Sequence, residues 1–192
     1  MEPARIASSA SFRVRGAAFA AARAFVKERF GPRGWEQLLA SLDASTARLW
    51  DSYLLHDGWY SSRPFDAFLD QLTSFRQREP IGEQIGRRIA SAAVRNRVFR
   101  PPLIDPTTAL EAAARLWHEY VDAGAISIVR RRPNGVDLAL DNPGLHPVVC
   151  GEVLVGWGNE TVSRTGALVV RNMHRCRVGS AATCHYEVSW AV

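Results

Sequence analysis

Three cysteines, Cys150, Cys176 and Cys184, and one nearby histidine, His174, are the residues whose types and spacing carry the clearest chemistry. Cys176 and Cys184 stand eight residues apart on two segments that read as paired strands around a loop of small residues. Residues placed opposite each other on such strands lie about 5 Å apart. Cys150 belongs to an apolar helix face with Val149, Val153, Leu154 and Trp157, and to bury that face the helix must cover the sheet. The three thiols can then converge. His174 shares a strand face with Cys176 because side chains alternate with period two, so a Cys-Cys-Cys-His zinc site is stereochemically open. Tight C-x-x-C knuckles are absent, and a second reading stands beside the first: three buried thiols packing as small hydrophobes, with Cys176 and Cys184 able to pair on oxidation. A third reading, Cys150 as a nucleophile, lacks a convincing base.

Other signatures of catalysis are thin. There is no G-x-S-x-G elbow, and the Gly151 to Gly158 stretch has Trp157 where a phosphate-binding lysine would stand. His118-Glu119-Tyr120-Val121-Asp122 misses the last histidine of a zinc-protease helix. Asn159-Glu160-Thr161 is a glycosylation sequon only in a secreted chain. Tyr60-Ser61-Ser62-Arg63 is similar to the Y-x-S-x-R haem-propionate clamp of the haem nitric-oxide sensors, with its arginine one residue early. That leaves haem to lone histidines, and no haem is expected.

The 192-residue chain is 47% hydrophobic and 22% charged, ordinary for a globular protein, and no apolar run is long enough to cross a bilayer. Its net charge of +5 comes from 24 basic residues of which Lys27 is the only lysine. The arginines are scattered rather than gathered in a stripe, which argues against nucleic acid. Three cysteines exclude a disulfide scaffold, and a cytoplasmic location is expected. The Ala-rich N-terminus is cut by Arg23 into too short an apolar core for a signal peptide and reads as part of the fold.

The elements that must position these residues follow from the periodicity. Phe19, Ala22, Val26 and Phe30 mark a first helix stopped at Gly31-Pro32; Trp35, Leu38, Leu39 and Leu42 a second; Leu49, Trp50 and Tyr53 a third, capped by Ser45. Phe65, Phe68, Leu69, Leu72 and Phe75 form a fourth, and Ile81, Ile85, Ile89 and Ala93 a fifth ending before Pro101-Pro102. Asp105-Pro106 opens a sixth, with Leu110, Ala113, Ala114, Trp117 and Val121 buried and Gly124 as its C-cap. After Gly124 the period changes to two: a hairpin over Ala125 to Arg132 and Val136 to Leu140, a helix from about Pro147, and a second hairpin over Ala167 to Arg177 and Thr183 to Trp190. The expected class is α+β in one domain. A helical part of about residues 1–124 packs on a four-stranded antiparallel sheet of ββαββ order in about residues 125–192.

The closing segment, His174-Arg175-Cys176, Gly179 and Cys184-His185-Tyr186-Glu187-Val188, resembles the final C-x7-C-x-[FY]-x-V hairpin of the 4-vinyl reductase domain family. That family shares its fold with haem nitric-oxide sensors and TRAPP vesicle-tethering subunits. Val14-Arg15-Gly16, Gly58-Trp59-Tyr60, Leu116-Trp117 with Gly124, and His146-Pro147 with Cys150 are similar to a myxobacterial family of unknown function. The resemblance implies a structural zinc on Cys150, Cys176 and Cys184. It also implies a fourth ligand, a glutamate, at the place of Met173, which only His174 could replace. The loop carries Gly179-Ser180 where the family has Gly-Asp. The expected function is a non-enzymatic sensor domain that binds a small apolar or aromatic molecule between helices and sheet, with Trp59, Tyr60, Phe99, Trp117 and Trp157 as candidate lining. The alternative is an assembly protein, homodimeric through its helical layer; neither nucleic acid nor membrane is expected as a partner.

Overall fold

A computed structural model describes residues 12–75, 80–95, 105–141, 144–177 and 183–191. The chain enters through a short strand, β1 (Arg13–Arg15), that pairs antiparallel with β2 (Trp59–Ser61). Three-residue strands are too short to show alternation, and the sequence gives no sign of either. Between them run α1 (Gly16–Ala40) and α2 (Ala44–Asp51). The two helices expected on either side of Gly31-Pro32 are joined as α1, kinked where Gly31 takes φ 68° and ψ −176°. Glycine adopts that backbone without penalty, and Pro32 then has no N–H to leave unpaired. The N-cap of α2 is Asp43 rather than Ser45; its carboxylate accepts from the Ser45 and Thr46 N–H groups, each at 3.0 Å. Tyr53, expected on the buried face of this helix, lies beyond its end and is 84% exposed.

Helices α3 (Arg63–Phe75) and α4 (Ile81–Arg95) bury Phe65, Phe68, Leu69, Leu72, Ile81, Ile85 and Ile89, as their spacing indicates. The core of the helical part is aromatic. Trp50 stacks on Phe68 with centroids 3.9 Å apart, Phe19 lies 4.9 Å from Trp50, and Trp50 Nε1 donates to the Pro64 carbonyl at 2.9 Å. The side chain of Phe75 and the Pro101-Pro102 stop fall outside the described residues.

Helix α5 (Pro106–Arg115) starts as its sequence demands, with Asp105 accepting from Thr108 N–H at 2.9 Å. It ends earlier than expected. Leu116 leads into a 3-10 turn (Trp117–Glu119), and the following segment is captured by β1. Arg15 N–H donates to the Tyr120 carbonyl at 2.8 Å, and Val121 bridges to Val14. Gly124, with φ 71°, turns the chain into the sheet instead of capping the helix.

The sheet is four-stranded and antiparallel in the order β3 (Ala125–Arg132), β4 (Gly135–Asp141), β6 (Thr183–Ala191), β5 (Leu168–Arg177). Between its two hairpins lie a π-turn (Val149–Val153) and α6 (Leu154–Ser163), giving the ββαββ order. Helices cover one face of the sheet. The other is solvated and carries the Arg132 ion pairs to Asp137 and Glu187. Among the described residues no helix is long and apolar enough to cross a membrane.

Candidate functional site: a thiol cluster and an apolar seam

The register of β5 and β6 sets Cys176 opposite Cys184, with Sγ atoms 2.9 Å apart. The π-turn brings Cys150 down onto them, so that the three Sγ atoms all lie within 4.8 Å of one another. Such widened turns recur at functional sites because the extra residue re-aims a side chain. Tyr186 holds this one in place by donating its hydroxyl proton to the buried Cys150 carbonyl at 3.0 Å. His174 stacks on Tyr186 at 5.0 Å between centroids and meets the cluster at Cys176, Nε2 to Sγ 3.0 Å. Strand alternation places Met173 on the other face, where its sulfur touches the Arg171 guanidinium at 2.9 Å. The position that the family resemblance gives to a glutamate therefore points away from the thiols, and the histidine beside it points toward them.

At Cys176 and Cys184 the electrostatics run against a thiolate. Burial and then the hydrogen bond with Cys184 push the Cys176 thiol up to about 11, and the Cys150 contact together with burial also raises Cys184. An activated cysteine needs the opposite shift. A bound zinc ion reverses this balance, since coordinating thiols lose their protons outright. Burial also lowers the His174 pKa, favouring the neutral imidazole that ligates metal. Three thiols converge from a turn and two strands, and with the imidazole that touches Cys176 they offer the donor types of a tetrahedral zinc site.

A second feature lies along the seam between helices and sheet. A half-open cavity of about 60 Å³ is lined by residues that include Phe12, Val14, Phe65, Asp66, Trp117, Tyr120, Leu145, Val153, Leu154 and Trp157. Leu154 and Trp157 also wall a smaller one of about 30 Å³ against the sheet, lined by Leu110, Ala114, Ile126, Leu138, Asn172, Tyr186 and Val188. Of the five aromatics expected to line a pocket, Trp117 and Trp157 meet here. Trp59 lies instead under the Arg15 guanidinium, 4.4 Å from its ring. Tyr60 packs 5.7 Å from Phe19, and its hydroxyl accepts from Leu55 N–H at 2.9 Å. Phe99 falls outside the described residues. Sequence reasoning missed Asp66 and Asn172, because polar residues in amphipathic stretches read as surface.

Asp66 is a carboxyl group in an apolar wall. Burial pushes its pKa up to about 6, opposed by the nearby His146 and by a hydrogen bond from Ser62, and reinforced by Asp70. Because the folded value exceeds the unfolded 3.8, the native state holds more protons between about pH 4 and 6. Its favourable contribution is complete below that window and is lost as pH rises through about 6. Asp66→Asn is therefore expected to match the wild type near pH 4 and to be more stable by about 2 kcal/mol at pH 7.5, allowing for partial exposure. Urea unfolding at the two pH values measures this; equal gaps at both would show that the carboxyl is solvated.

No family model matches the chain, and no curated protein matches it. Solved structures do share its fold, H-NOX proteins among them. The H-NOX protein from K. algicida in its Fe(II) unliganded form is 9% identical, with 93% of this chain and 97% of that chain covered at a TM-score of 0.67. The H-NOX protein from S. oneidensis in the Fe(II)NO ligation state is 15% identical, covering 93% and 99% at 0.67. A variant of Tt H-NOX is 6% identical, covering 93% and 95% at 0.71. The α+β arrangement is thus an H-NOX-like fold.

These likenesses overturn the expectation that haem plays no part. Solved structures of this fold concern haem distortion in the H-NOX family and the haem redox potential, so a shifted arginine at Arg63 is no ground for setting haem aside. Tyr60-Ser61-Ser62-Arg63 has a different task here. It forms β2 and the start of α3, with the Ser62 carbonyl accepting from Phe65 and Asp66 N–H groups. In the present packing the seam residues do not fit a haem. The described lining holds no histidine or cysteine to serve as an axial ligand, and about 60 Å³ leaves no room for a porphyrin.

Proposed function

We propose that the protein is a sensor domain rather than an enzyme, binding a small apolar or aromatic molecule in the seam between its helices and sheet. It carries one structural zinc on Cys150, Cys176, Cys184 and His174. The observation that carries the sensor reading is the pair of cavities divided by Leu154 and Trp157. They lie in a fold whose solved H-NOX relatives include a nitric-oxide-bound form. The 4-vinyl reductase resemblance of the closing hairpin supports the zinc. Zinc supplies no chemistry of turnover in this reading; it ties the π-turn to the last hairpin, which keeps α6 and its two wall residues seated on the sheet. Raised pKa values at Cys176 and Cys184 argue against either of these two as a nucleophile. An assembly role as a homodimer is the second reading, favoured by Tyr53 and Leu55, 84% and 56% exposed after α2.

Titration with toluene, followed by tryptophan emission, tests the cavity. A saturable change is expected in the wild type, and Leu154→Phe, which fills space on both sides of the wall, is expected to weaken binding at least tenfold. Equal binding by that variant would place the ligand elsewhere. Haemin added in parallel asks the same question of the cofactor the fold hosts in its relatives, and a bound Soret band competing with toluene would assign the seam to haem.

A further inference from the structure

We infer that Asn172 reads the ligand: the molecule that enters the seam carries a hydroxyl or N–H donor on an otherwise apolar body, and the Asn172 carbonyl oxygen accepts it. The inference rests on the cavity reading above and names the chemical class of its occupant.

The orientation of the amide is fixed by a chain of hydrogen bonds. Glu83 accepts from Arg87 at 2.9 Å and from Asn159 Nδ2 at 3.0 Å. Asn159 must therefore present its oxygen to Asn172, whose Nδ2 donates to it at 2.8 Å and to the Val155 carbonyl at 3.2 Å. Turning the Asn172 amide over would set oxygen against oxygen at both contacts, so the assignment follows from the network. Asn172 Oδ1 is left buried without a hydrogen-bond partner, on a residue that lines the smaller cavity. Tyr186, which belongs to the same lining, has its hydroxyl proton committed to the Cys150 carbonyl.

A buried acceptor without a donor is costly, and buried polar groups otherwise find partners in the great majority of cases. A ligand O–H or N–H aimed at Oδ1 removes that cost. A ligand offering only acceptors, such as an ether or a carboxylate, adds a second lone pair to the first. The smaller cavity holds the donor group; the apolar body reaches past Leu154 and Trp157 into the larger space, and the displaced Trp157 ring reports the event.

Benzyl alcohol and benzyl methyl ether form a test pair that differs in the donor. With the full chain, calorimetric titration is expected to show the alcohol binding at least tenfold more tightly, and Asn172→Leu is expected to abolish the difference. Should that variant not fold, Asn172→Val, suited to a strand, takes its place. Equal affinities in the wild type overturn the role of Asn172 and leave the cavity reading standing. A preference that survives in the variant overturns it as well. Failure of both compounds to bind removes the cavity reading and the inference together.

Discussion

Replacing Cys176 with serine is expected to release one zinc per chain and to lower the melting temperature by on the order of 10 °C. The geometry explains the size of the effect. Cys150 arrives from the π-turn, and Cys176 and Cys184 stand opposite each other on β5 and β6, so one ion would join three segments. A structural zinc stabilises by existing only in the folded state, because its ligands are scattered in the unfolded chain. Without metal, Cys150 and Cys184 are small buried hydrophobes while Cys176 is an exposed thiol, and its change to serine costs about 0.5 kcal/mol or less. The two readings thus separate by several degrees as well as by metal content. Metal analysis of protein purified without a histidine tag, paired with calorimetry, decides between them. His174→Ala is expected to retain zinc at lower affinity, since three thiolates remain and the fourth position can take water. Stoichiometric zinc with unchanged affinity in that variant would remove His174 from the site, and protein without zinc would leave Cys150 and Cys184 as core residues and Cys176 as an exposed thiol.

Much of this arrangement was legible in the residues. Period-two alternation and turn chemistry located both hairpins, and the C-x7-C spacing placed two thiols opposite each other. The apolar face of the helix from Pro147 gave the third. What the sequence withheld was decided by contacts between distant segments. The capture of Tyr120 and Val121 by β1 shortened α5, and no local propensity encodes that. The choice between Met173 and His174 depended on which face of β5 meets the π-turn. Asp66 and Asn172 look like solvated positions until helix and strand are packed together. The expectation of no haem fails for a related reason: a motif displaced by one residue says little alone, whereas the fold that could host the group is a property of the whole chain.

The backbone contact between α4 and α6 sets the other large effect. Gly82 and Gly86 are spaced four apart on α4, a small-residue stripe that the sequence displays. A Cβ on Gly86 would overlap the Val153 carbonyl, and one on Gly156 would overlap the Glu83 carbonyl, so each glycine receives the backbone of the opposite helix. Neither obstacle can swing aside as a side chain would. Gly86→Ala and Gly156→Ala are each expected to destabilise by at least about 3 kcal/mol, the upper end for overpacking. That corresponds to a fall in melting temperature of roughly 6–12 °C in a chain of this size. Gly151→Ala supplies the contrast. Its Cβ would meet only the His174 ring, at 3.6 Å, an ordinary contact, and it is expected to cost less than about 1 kcal/mol. Chemical denaturation of the three variants tests the ordering, and comparable stability in all of them would mean that the two helices separate readily. Contact at the backbone leaves α6 little freedom to slide, so ligand entry at the seam must be accommodated by side chains. Leu154 and Trp157, one turn apart on that helix, divide the two cavities and are placed to move.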